Sequence, residues 1–148
     1  MSSAPSPSLT PSTTSAAAGR PFATAIVVTI GLLLVMDVAG ALISLAAGLS
    51  PTFLDALGPQ ARLSAPIPMM IAQVILAFAV SRRRRAVAIP AAVLLMIAGI
   101  LAFLSGFSDG GYAADLTAAQ RVFQIALVTG HLAMGVLAGL RLVRLLRR

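Results

Sequence analysis

The sequence predicts an all-α integral membrane protein: four transmembrane helices in an up-down antiparallel bundle, with both termini cytoplasmic. Three observations point there. Hydrophobic residues make up 59% of the 148-residue chain and charged residues 10%, against roughly 45–50% and about 25% in water-soluble domains. The apolar residues gather in four runs, each near or above the ~20 residues that cross a ~30 Å hydrocarbon layer as a helix. If the chain crosses four times, nine of its eleven arginines fall on one side. A chain this short cannot hide so much apolar surface in a water-facing core. Lipid offers no water to open backbone groups, so the runs are read as helices.

Residues 1–21, rich in Ser, Thr, Pro and Ala, have little to bury and are expected to form a disordered tail. Residues 22–148 form the membrane domain. Its first span covers about 22–49. A cleavable signal ending at Ala39-Gly40-Ala41 is the competing reading. The leader is long and holds one arginine, and the apolar character runs on to Leu49, whereas a signal has a short apolar core behind a basic start. The span is therefore read as a retained anchor. Ser50-Pro51 reads as a helix cap and Gly58-Pro59 as a stop, framing a short surface helix through Phe53, Leu54 and Leu57. The second span covers about 63–81, the third about 86–106 and the fourth about 119–140. Asp109-Gly110-Gly111 is expected to turn between the last two, with Tyr112 at the interface. Thr117 and Gln120 fit a capping box that opens the fourth span.

Orientation follows from the arginines. Arg20, Arg82 to Arg85, Arg141, Arg144, Arg147 and Arg148 share one side, and Arg62 and Arg121 lie opposite with Asp55, Asp109 and Asp115. The positive-inside rule makes the arginine-rich side cytoplasmic, and the apolar runs place the chain in the cell membrane. Arg82, Arg83, Arg84 and Arg85 occupy the tight turn between spans two and three, where they can reach lipid phosphates. Arg141, Arg144, Arg147 and Arg148, in the basic end at 141–148, are expected to do the same. The net charge of +7 is thus assigned to topology and anionic head groups, and nucleic acid is not expected as a partner.

Polar residues within spans usually face protein or a water-filled cavity. Here they are Asp37, Gln73, Gln124 and His131, the last being the sole histidine. Helical spacing puts Asp37 on one face with Gly40, Ser44 and Gly48. It likewise groups Gln124 and His131 with Gly135 and Gly139. Small residues at such spacing let helices approach closely. Span two offers Gln73, Ala77 and Ser81, and span three offers Ala98, Ala102 and Gly106. Asp37 and His131 both fall near the middle of their spans. The expectation is a buried polar network in which His131 meets Asp37, with Gln73 and Gln124 completing it.

Function classes narrow accordingly. Cysteine is absent, which excludes dithiol redox chemistry and thiolate metal sites. One histidine supplies one axial haem ligand, and a second would have to come from Met134, Met96 or another copy; no nucleophile–base arrangement stands at a wet surface. No catalytic residue, metal or cofactor is therefore expected. The reading is a non-enzymatic structural or accessory membrane protein, with a second copy or a membrane complex as its protein partner. The alternative is a small proton-coupled transporter with Asp37 as the titrating group. In layout the chain resembles the small multidrug resistance transporters, which also have four spans and an acidic residue in the first. That resemblance implies proton-coupled export by a dimer. It covers the span count and the position of Asp37, while this chain has aspartate for glutamate, lacks tryptophan and carries a one-sided arginine bias.

Overall fold

The computed structural model describes residues 20–59, 61–108 and 116–147. Residues 1–19 of the expected tail, the Asp109-Gly110-Gly111 turn, Tyr112, Asp115 and Arg148 lie outside the described residues, while positions 20 and 21, assigned to the tail from the sequence, already belong to the first helix. All regular structure among the described residues is helical: α1 (Arg20–Ala46), α2 (Phe53–Ala56), α3 (Ile67–Ser81), α4 (Arg85–Ser108) and α5 (Ala118–Leu146).

Local chemistry sets the helix ends. After α1 the Gly48 N–H bonds Leu45 O at 3.1 Å and the Leu49 N–H bonds Ser44 O at 2.9 Å. This pattern needs a left-handed residue at Gly48, whose φ is +67°. Gly48 is thus a helix terminator with nothing within 4 Å of a would-be Cβ, and the small-residue ladder of α1 stops at Ser44. The cap of α2 is Thr52, two residues beyond Ser50: its hydroxyl accepts from the Asp55 N–H at 3.1 Å. The capping box of Thr117 and Gln120 opens α5 with both of its bonds made. The helix then continues through the basic end to Leu146.

The second apolar run departs most from expectation. Its helix begins at Ile67 rather than near Leu63. Proline explains this. Pro66 forces Ala65 out of the helical region, and Pro68 sits in the first turn, where its missing N–H is harmless. At 15 residues α3 is about 22 Å long, short of the ~30 Å hydrocarbon core. Three helical stretches are long and apolar enough to cross a membrane: Phe22–Ala46, Arg85–Ser105 and Ala118–Leu146.

The helices pack in the cyclic order α1, α3, α4, α5, with α4 on α5 the most extensive contact and α2 laid against α1. The core holds Ile26, Ile30 and Leu33 of α1, Ala77 and Val80 of α3, Ala92 and Leu95 of α4, and Met134 and Ala138 of α5. Outward faces are apolar too: Val28, Leu32 and Val35 on α1, Ile75 and Phe78 on α3, Leu101 on α4 and Val122 on α5 are all more than half exposed. Asp37, Gln73 and His131 are 0%, 1% and 4% exposed. Apolar groups outside and polar groups inside is the arrangement of a protein dissolved in lipid.

Candidate functional site

Every intramembrane polar residue named from the sequence is buried, and most of them engage main chain. Asp37 lies nine residues before the end of α1, about 14 Å along the helix axis. Its Oδ1 accepts the Ala65 N–H at 2.7 Å. From α5, the Gln124 Nε2 donates to Arg62 O at 3.2 Å. The stretch Arg62–Ala65 is therefore gripped from two helices. Leu63 is fully buried and Ser64 nearly so, and the Ser64 hydroxyl donates to Ala56 O. The Ile67 N–H closes the segment onto Leu57 O at 3.0 Å.

Non-helical backbone deep in a bundle is tolerated only where its polar groups find partners. Here α1 and α5 supply them. Gly40 makes room: a Cβ at that position would run into the Leu63 carbonyl and stand 3.0 Å from a Phe123 ring carbon. Its close neighbour is the incoming loop rather than another helix.

The other end of α3 is held in the same manner. Arg141, 9% exposed, donates from Nε to Val80 O at 3.1 Å, satisfying a carbonyl in the last turn. It faces inward, unlike the exposed Arg82 to Arg85, Arg144 and Arg147. Arg144 stacks its guanidinium 3.9 Å from the Phe22 ring centroid, a cation–π contact that ties the end of α5 to the start of α1.

His131 donates from Nδ1 to Leu127 O at 2.9 Å, one turn back along α5. Among the described residues no hydrogen bond or ion pair joins it to Asp37. Gln73 on α3 is buried with neither amide atom bonded, and Asp37 Oδ2 and the Ser44 hydroxyl are likewise without hydrogen-bond partners among the described residues. The structure thus brings Asp37 and Gln124 to one loop. His131 and Gln73 are buried in the same bundle, without a direct bond among Asp37, His131 and Gln73.

Gly135 and Gly139 face α4: a Cβ at Gly135 would stand 3.2 Å from Met96 O and 3.3 Å from the Gly99 Cα, and one at Gly139 would stand 3.3 Å from Met96 Sδ. The α4 partner, Gly99, escapes the Ala98–Ala102–Gly106 ladder because it lies one position over. Its signal was the buried series Ala88, Ala92, Leu95 and Gly99, spaced by four, three and four. The gripped loop also had a signal, the prolines Pro66 and Pro68 inside an apolar run. No family model, curated protein or solved structure matches the chain, and the functional reading rests on its own residues.

Proposed function

We propose that the protein is a small non-enzymatic multi-pass protein of the cell membrane, structural or accessory in role, with four crossings and cytoplasmic termini. One observation carries the reading. Asp37, Gln124 and Arg141 direct hydrogen bonds to main-chain groups that flank or end α3. Side chains committed in that way fix helices in place. In this reading the second crossing is composite: α3 supplies about 22 Å and the non-helical Leu63–Pro66 stretch, which bends at Leu63 and Ser64 and spans at most ~13 Å, adds to it.

The chain lacks cysteine, so single introduced cysteines report topology without background. Pro59→Cys and Ala118→Cys are expected to react with an impermeant thiol reagent on intact cells. Ser12→Cys and Ser81→Cys are expected to react only after lysis. Labelling of Ser12→Cys with protection of Ala118→Cys would reverse the orientation, and labelling of Ser81→Cys together with Pro59→Cys would remove the second crossing.

Arg82 to Arg85, all exposed, are proposed to contact anionic head groups at the cytoplasmic face. Arg83→Gln with Arg84→Gln is expected to weaken retention of anionic lipid by the solubilised protein by about 1 kcal/mol per charge removed, with topology unchanged. Unchanged retention after replacing all four would end the lipid-contact assignment.

A second reading, proton-coupled transport through Asp37, is favoured by one observation: Oδ2 of that carboxyl is buried and unbonded among the described residues. Gentle solubilisation separates the two. A second copy or a membrane protein is expected to co-elute at fixed ratio. A lone monomer whose reconstituted vesicles show pH-driven uptake, abolished by Asp37→Asn, would favour transport.

A further inference from the structure

Three helices each place a buried hydrogen-bonding side chain at one level of the bundle. The packing fixes that level. On α1 and α5, a Cβ at Gly40 would stand 3.0 Å from Phe123, and one at Gly130 would stand 2.8 Å from Leu33. Asp37 lies between these two contacts on α1, and Gln124 and His131 bracket the facing part of α5. On α3, Met70 packs against the cluster of Ala41, Ala56 and Leu57, and Ala77 belongs to the cluster that holds Ile30 and Leu33. Gln73 lies between these two along α3, as Asp37 lies between Leu33 and Ala41 along α1, and we infer one level from that order. Helical side chains lean toward the start of their own helix. In these antiparallel helices that lean brings Asp37 and His131 toward each other.

At this level the hydrogen-bonding capacity is only partly used. Asp37 uses Oδ1 on the Ala65 N–H and leaves Oδ2 unbonded. Gln73 is 1% exposed and leaves both its oxygen and its nitrogen unbonded among the described residues. His131 commits Nδ1–H to Leu127 O, which in the neutral ring leaves Nε2 as an acceptor. From α4 the neighbours are Ala92, Leu95 and Gly99, which add neither charge nor hydrogen-bonding side chains. Each buried group left unmade costs about 1–3 kcal/mol. Buried water typically makes about three hydrogen bonds to just such groups. Water is the smallest molecule that both donates to Oδ2, Nε2 and the Gln73 oxygen and accepts from the Gln73 amide.

We propose that Asp37, Gln73 and His131 enclose an internal water site, in which ordered water bridges the Asp37 carboxyl to the His131 ring through the Gln73 amide. The site is a property of the folded chain and stands whether the protein is an accessory subunit or a transporter. It makes the middle of the bundle wet on the α1–α3–α5 side and dry on the α4 side.

Water-edited solid-state NMR of the protein in lipid bilayers tests this directly. The sole histidine gives an unambiguous ring signal. Isotope labels on histidine, glutamine and methionine, with Gln73 and Met134 assigned among the four glutamines and six methionines by single substitution, then report the three positions needed. Magnetisation from water is expected to reach the His131 ring and the Gln73 side-chain amide, while buried Met134 receives none. Gln73→Leu is expected to abolish transfer to His131 and to leave the Met134 signal in place, which also shows that the variant is folded. A wild-type His131 ring as dry as Met134 would overturn the proposal. So would transfer to His131 that persists unchanged in folded Gln73→Leu protein.

Discussion

Gly99→Leu is expected to leave little folded protein, and Gly99→Ala to melt well below wild type in detergent. A Cβ at Gly99 would stand 2.5 Å from His131 O and 2.8 Å from the Gly135 Cα. All the atoms it meets belong to helix backbone, so no side chain can swing aside. Relief requires moving α4 away from α5, the most extensive contact in the bundle. Overpacking of this kind costs about 1–3 kcal/mol for one methyl and more for a larger side chain. Gly31→Ala is the control. Gly31 is also mid-helix, but nothing lies within 4 Å of its Cβ position, so the change brings only better helix propensity, worth roughly 0.5–1 kcal/mol. Thermal unfolding followed by circular dichroism should therefore move in opposite directions for two identical substitutions. A Gly99→Leu protein that melts like wild type would mean that α4 and α5 do not cross this closely.

The contrast between Gly31 and Gly99 also shows what the sequence could convey. Helix content was legible because long apolar runs have few alternatives in lipid. The Thr117–Gln120 cap was legible because both partners lie within one turn. Burial of Asp37, Gln73, Gln124 and His131 was legible because hydrocarbon penalises their exposure. Their partners were not. Matching depths by counting residues set Asp37 against His131, since a side-chain inventory contains no loop backbone. The actual acceptor–donor pair is a carboxylate and the Ala65 N–H, which depends on Pro66 and Pro68 halting α3 early. Gly40 was read for close approach, but spacing alone gave no hint that its neighbour is the Leu63 carbonyl. Gly48 had the right spacing for a packing residue. A terminator at a helix end satisfies the same spacing, and only φ tells them apart. Arg141 shares a helical face with Arg144 on paper, yet α3 ends beside the one and not the other, so Arg141 turns inward.

Asp37→Leu is expected to be the most damaging polar substitution in the chain, and the double change Asp37→Leu with His131→Leu is expected to be no better. The Ala65 N–H is held by a carboxylate at 2.7 Å within the bundle. Leucine leaves that donor unbonded where water is scarce, at a cost of about 1–3 kcal/mol. A carboxylate in hydrocarbon also costs about 2.5–3.5 kcal/mol on insertion scales. That cost falls on folded and separated helices alike, so it largely cancels in unfolding. What remains is the loss of the latch on Arg62–Ala65 and hence of the start of α3. Asp37→Asn keeps an acceptor oxygen and should fall between Asp37→Leu and wild type. His131→Leu alone should cost less, because Leu127 O still accepts the His131 main-chain N–H within α5. The double variant separates two arrangements. If Asp37 and His131 were each other's main partner, replacing both with leucine would recover most of the stability lost by either, because no unpaired group would remain. With the latch on Ala65, the main-chain N–H stays orphaned whatever occupies position 131, and the double variant melts no higher than Asp37→Leu. Recovery in the double variant would move the principal bond of Asp37 from the loop to the histidine.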